Sequence, residues 1–125
     1  MLVLDAGALV AVERTDRDLI AMIKRERRAG RAPVTHGGVI GQVWQGGTGR
    51  QANLARLLPG LEIVALDEEL GRRAGLLLGR ARTSDVIDAA VALLAVDGDE
   101  VVTSDAEDIR RLLTVIGSHV DVIPV

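Results

Sequence analysis

Short apolar runs rich in Val and Ile alternate with stretches of helical periodicity along the whole chain, and that alternation leaves few folds open to it. Leu2–Leu4, Pro33–Thr35, Leu61–Leu66, Glu100–Thr103 and Val120–Ile123 read as strands. Between them, Ala8–Val12, Asp16–Arg28, Val39–Trp44, Gln51–Leu58, Asp67–Arg82, Asp85–Val96 and Ala106–Leu113 read as helices. Breakers such as Gly46-Gly47-Thr48-Gly49, Pro59-Gly60 and Asp97-Gly98-Asp99 separate them. A strand followed by a helix, repeated in this way, implies a mostly parallel sheet covered on both faces. With 125 residues, a single domain over residues 1–125 is expected.

The core of such a sheet must here be aliphatic, because Trp44 is the only aromatic residue. Stacking of bases on an aromatic platform is thereby excluded as a grip on single strands. The absence of Cys rules out a disulfide, a thiol nucleophile and a thiolate zinc site, and His36 and His119 are the only imidazoles. Nothing local pairs either with a nucleophile, and both read as incidental polar residues rather than a catalytic pair. The formal charge is −3, and all basic residues but Lys24 are arginine. A mildly acidic protein binds nucleic acid when its arginines gather on one face and cations cover its carboxylates. No run approaches the length of a membrane span, and the first residues lack the charged start of a signal peptide, so no membrane association and a cytoplasmic location are expected.

The acids are where the chemistry lies. Asp85-Val86-Ile87-Asp88 and Asp105-Ala106-Glu107-Asp108 share a D-x-x-D spacing, and Asp5 follows the first apolar run. Each stands where a strand or loop hands over to a helix. An Asp at such a junction is a favoured N-cap, and an acid three residues on can complete a capping box. The helix behind Asp85 weighs against that reading, because from Val86 to Val96 every residue except Asp88 is apolar. A helix of that kind is buried nearly all round. Two acids on one face of its first turn are then costly unless they share a cation or hydrogen-bond donors. Parallel sheets present the carboxyl ends of their strands at one edge, so acids from the beginning, middle and late parts of the chain can meet there around a hard divalent ion.

Val3-Leu4-Asp5-Ala6, the Val39–Gly46 segment, Thr83-Ser84-Asp85-Val86-Ile87-Asp88-Ala89 and Val101-Val102-Thr103-Ser104-Asp105 with Asp108 together resemble the PIN domain, and more closely the VapC-type toxins of bacterial toxin-antitoxin pairs. The resemblance spans nearly the whole chain. It implies a three-layer α/β/α PIN-like fold, and a metal-dependent endoribonuclease that uses Mg²⁺ or Mn²⁺, is restrained by a VapB-like antitoxin and forms a homodimer. Carried over by position, Asp5, Asp85 and Asp105 match the metal-binding acids, and Asp88 and Asp108 the accessory acids of the catalytic group. The remaining acid of the family is a Glu on the helix after the second strand, where this chain has Gln42. A carboxamide offers an oxygen but no charge, so a metal held through that position is held more weakly.

The activity so implied is hydrolysis of an RNA phosphodiester, with Arg14, Arg17 and Arg110 as candidates for gripping the substrate and Thr103 or Ser104 as hydroxyls that orient carboxylates. The basic run Lys24-Arg25-Glu26-Arg27-Arg28 reads as a solvated helix face. An RNA-binding protein of the same fold with little cleavage activity is the alternative that Gln42 favours. A receiver-like phosphorylation module needs a lysine near its acids, and Lys24 lies in the basic helix. A phosphohydrolase with an aspartyl nucleophile needs a second acid two residues on, where Gly7 stands.

Overall fold

The computed structural model describes residues 1–125. The chain begins with β1 (Leu2–Leu4), α1 (Ala6–Glu13), α2 (Arg17–Arg28), β2 (Val34–His36) and α3 (Gly37–Val43). It continues through a 3₁₀ turn at Gly49–Gln51, α4 (Ala52–Leu57), a second 3₁₀ turn at Leu58–Gly60 and β3 (Glu62–Val64). The last part comprises α5 (Glu68–Ala81), α6 (Val86–Leu94), β4 (Glu100–Thr103), α7 (Ala106–Ile116) and β5 (Asp121–Pro124). The strands form one sheet in the order β3-β2-β1-β4-β5, and every pairing is parallel. Helices α1 to α4 pack against one another in one layer, and α5 to α7 in the other. None of the helices is long and apolar enough to cross a membrane.

Local sequence sets where the helices start. Asp16, Asp67 and Asp85 each accept the backbone N–H three residues on, which satisfies one of the free donors of a first helical turn. A single core of 25 residues joins the layers, and its centre is the run Ala89–Ala92 of α6 packed over Leu2, Val3 and Leu4 of β1. The small side chains of α6 let it lie close to the sheet. Val86, its first residue, and Val96, two residues past its end, are exposed.

Most elements differ from the sequence reading only by one to three residues at their ends, and two differ more. The Leu61–Leu66 strand contracts to Glu62–Val64, because β3 is an edge strand with Ile63 partly in solvent. The Gln51–Leu58 helix is broken into α4 and its flanking 3₁₀ turns. Pro59 stands in the second of these turns, and at the first the side chain of Gln51 turns inward. Its Oε1 accepts from the Gln45 and Gly47 N–H groups at 2.8 and 3.2 Å, and its Nε2 donates to the Val43 carbonyl at 2.8 Å. This buried amide replaces the backbone bonds that the glycine-rich connection cannot make for itself. Leu54 and Leu57 of α4 are buried within the chain's own core.

From β1 the chain winds outward through β2 to β3, then returns to the other side of β1 for β4 and β5. The winding direction therefore reverses between β1 and β4. Helices leave the carboxyl ends of those two strands toward opposite faces, α1 to one and α7 to the other, and open a crevice between them. The register Leu4↔Val102 sets Asp5 beside Thr103 at its mouth.

Candidate metal centre at the carboxyl edge of the sheet

Asp5 is the residue after β1, almost fully buried at 3% exposure, and it caps α1. Its Oδ2 accepts a hydrogen bond of 2.6 Å from the Thr103 hydroxyl. The same hydroxyl oxygen accepts from the Asp105 N–H at 2.9 Å. Thr103 thus joins the ends of β1 and β4 across the crevice, and fixes both the orientation of the Asp5 carboxylate and the start of the turn that carries Asp105. The Thr103–Asp5 bond is buried and polar on both sides, so it has large leverage on stability. Thr103→Val keeps the shape and removes both bonds. It is expected to lower stability by about 1–3 kcal/mol, read as a lower urea midpoint with an unchanged slope.

Gly7, in the first turn of α1, makes the close approach possible. A Cβ at this position would lie 2.7 Å from the backbone nitrogen of Ser104 and 2.3 Å from its Oγ. No residue with a side chain fits there, and the start of α1 sits directly on the β4–α7 connection.

Across the crevice, α6 and α7 bring the two D-x-x-D pairs together, though not symmetrically. Carboxylate oxygens of Asp88, Asp105 and Asp108 all lie within 4.8 Å of one another. Asp88 is buried, and Asp105 and Asp108 are exposed. Asp85 lies outside this group. It is exposed, and its Oδ1 accepts the Asp88 N–H at 3.0 Å as the cap of α6. Asp5 also lies outside that 4.8 Å group, yet its charge reaches both Asp88 and Asp105.

The electrostatics show how crowded the place is. Burial pushes the Asp88 carboxyl from an ordinary 3.8 up to about 7, and the charges of Asp5, Asp85 and Asp105 push the same way. Asp105 is also raised, first by burial and then by Asp108 and Asp5, although its bond with Asp88 acts in the opposite direction. Of the two, Asp88 is pushed further toward the protonated form, because it is the more deeply buried. Three carboxylates around one point, with a fourth behind them and no lysine or arginine paired to any of them, form an all-oxygen donor set suited to a hard divalent cation. A cation there would neutralise the repulsion that now raises Asp88.

Arg14, Arg17 and Arg110 are not gathered in one place. Arg14, at the end of α1, lines an open groove with Ala6, Gly7, Gln42 and Ser104, on the α1 side of the crevice. Arg17 stands exposed in the first turn of α2. Arg110 lines a separate groove with Thr114, Ser118 and Asp121. Gln42 is exposed on α3 and shares its groove with Arg14. Trp44 is 41% exposed, with its ring over the Gly47 backbone. His119 donates its backbone N–H to Asp97, far from the acids in the fold. Sequence reasoning gave no role to His36, which is fully buried at the end of β2, or to Gln51, because nothing local marks either as an inward-facing polar residue.

No protein-family model matches the chain, and no curated protein matches it in sequence. Among solved structures it is similar to a chain of the VapBC2 complex from Rickettsia felis bound to a DNA fragment from their promoter. The TM-score is 0.70 at 12% sequence identity, and the match covers 97% of each chain. With five parallel strands between two helical layers and this match over nearly its full length, the protein has a PIN-like fold.

Proposed function

We propose that this protein is a metal-dependent endoribonuclease, the toxin of a toxin-antitoxin pair, with its metal held by Asp88, Asp105 and Asp108 and faced by Asp5. The observation that carries the reading is the carboxylate cluster at the point where the sheet's winding reverses, the place where open parallel sheets put their chemistry. The likeness to a VapBC2 complex supports the fold on which it rests. In this reading Asp88 is a central metal ligand, and Asp85, assigned to the metal by its position in the sequence, serves as the cap that begins α6.

When bound, Mg²⁺ or Mn²⁺ supplies an activated water and offsets charge on the phosphate. The chain's own residues do the rest. The Thr103 hydroxyl holds Asp5 Oδ2 and the Ala6 N–H holds Oδ1, so the carboxylate is fixed through both oxygens. In this reading Asp5, outside the tight cluster, takes the proton of a water attacking the phosphate. Arg14 along the adjoining groove can hold a neighbouring phosphate of the RNA backbone. A VapB-like antitoxin and homodimer formation belong to the same reading.

Its test is cleavage of structured RNA by the free protein with and without Mg²⁺. Cleavage is expected only with the metal, and Asp5→Asn and Asp105→Asn are expected to reduce it by about a thousandfold or more, a loss of ~4 kcal/mol in transition-state stabilisation. Unpartnered expression is expected to slow growth, and the two variants are not. Equal toxicity of the variants contradicts the nuclease reading. Gln42, an uncharged residue exposed on α3, favours a second reading, an RNA-binding protein of the same fold. RNA binding without metal-dependent cleavage would select it.

A further inference from the structure

We propose that His36 is a positioning residue: a neutral imidazole that pins the first turn of α6 to the end of β2 and thereby sets where the Asp88 carboxylate stands. The inference rests on reading the acidic cluster as a metal site. His36 is 0% exposed, and its Nδ1 accepts the Gly38 N–H at 3.1 Å as the N-cap of α3. That bond leaves the ring proton on Nε2, which donates to the Ile87 carbonyl at 3.0 Å, 51 residues further along the chain. Both nitrogens are thus used, one as acceptor and one as donor, and only the neutral ring can do this. Burial acts in the same sense by disfavouring the cation.

Ile87 immediately precedes Asp88. The His36–Ile87 bond ties the first turn of α6 to the end of β2, whereas the Asp85 cap is internal to the helix start. The remainder of α6 is held by Ala89–Ala92, whose apolar contacts are not directional. The first turn meanwhile carries an acid that Asp5 and Asp105 repel. A directional bond at Ile87 opposes that repulsion and fixes the turn, in the way that partners behind a ligand fix its aim. A second feature shows that the contact is built. A Cβ on Gly38 would lie 2.5 Å from Ile87 Cδ1 and 2.9 Å from the His36 ring at Cε1, so the first turns of α3 and α6 pack closely at a position without a side chain.

Two substitutions separate the halves of the imidazole. His36→Gln keeps a nitrogen donor near the place of Nε2, and His36→Asn keeps an acceptor near the place of Nδ1. Mn²⁺ affinity of each, by calorimetry, is measured beside thermal unfolding. His36→Asn is expected to bind Mn²⁺ roughly tenfold or more weakly, and His36→Gln is expected to bind like the unaltered protein. Unchanged affinity in both variants, or equal loss in both, overturns the proposal. If His36→Asn does not fold, Gly38→Ala takes its place, since it keeps the imidazole and crowds Ile87. Weaker Mn²⁺ binding is expected there, and unchanged binding overturns the proposal. If the unaltered protein binds no Mn²⁺, the metal reading fails by itself. The bracket is then judged in the metal-free protein by the amide resonances of Val86 to Ala89. These are expected to shift in His36→Asn and to stay in place in His36→Gln, and resonances that stay in place in both overturn it.

Discussion

Asp88→Asn is expected to move two properties in opposite directions, weakening Mn²⁺ binding by at least about a hundredfold while making the metal-free protein more stable at pH 8. The first effect follows from removing the buried charge at the centre of the donor set. The second follows from linkage. The Asp88 carboxyl rises from 3.8 to about 7 in the folded protein, so between those values the folded state holds a proton that the unfolded state has released. Stability of the metal-free protein therefore falls as pH rises from about 4 to 7, and changes no further above that from this group. The shift corresponds to roughly 4 kcal/mol at full value. The open side of the cluster, toward exposed Asp105 and Asp108, screens it to about 2 kcal/mol. An Asn at 88 carries no charge to be penalised, and its amide can donate to Asp105 as the protonated acid does. Urea denaturation of both proteins in chelator at pH 5 and pH 8 checks the sign. The unaltered protein is expected to lose stability over that range and Asp88→Asn to lose much less. With Mg²⁺ present the trend is expected to flatten or reverse, because a metal binds the deprotonated ligands. A metal-free protein as stable at pH 8 as at pH 5 would mean that the acids are too well solvated to need a cation.

Gly7→Ala is expected to be among the most disruptive single-methyl changes in the protein, with a loss of about 2–3 kcal/mol. The added carbon would meet backbone of the β4–α7 connection, at 2.7 Å from Ser104 N, and backbone cannot swing aside as the end of a long side chain can. Either α1 or the connection must move. One carries Asp5, which faces the cluster, and the other carries Asp105, which belongs to it, and the two are joined through Thr103. The same substitution is therefore expected to weaken Mn²⁺ binding although Gly7 bears no ligand. Crowding at Gly71 or Gly75 of α5, where a Cβ would meet nothing within 4 Å, supplies the comparison. Gly75→Ala is expected to be neutral or stabilising, since Ala has the better helix propensity.

The parallel sheet and most of its helices were legible in the chain because strand and helix periodicities alternate cleanly and because Asp16, Asp67 and Asp85 mark helix starts. The acids were legible as a set for the same reason, since each stands at a strand or helix boundary. Their order of importance was less so. Asp85 and Asp88 look equivalent as a D-x-x-D pair, yet Asp85 is the extended N-cap residue, its carboxylate turned back onto the Asp88 N–H, whereas Asp88 stands inside the first turn of α6. The lone polar position in the run from Val86 to Val96 was the signal that it is Asp88, which is 7% exposed and turned toward Asp105. His36 and Gln51 were not legible, because their partners, Ile87 and the Gln45–Gly47 backbone, are set by tertiary packing and by an irregular loop. The arginines show the limit of charge counting. Arg14 reaches the groove beside the crevice, whereas Arg110, nearer to the acids in sequence, lies along a separate groove with Asp121.

A crystal grown or soaked with Mn²⁺ and measured for anomalous scattering locates the ion without reference to activity. A peak about 2.1 Å from carboxylate oxygens of Asp88, Asp105 and Asp108 is the expected result. A peak held by Asp85 instead, or none along the carboxyl edge of the sheet at millimolar Mn²⁺, would contradict it.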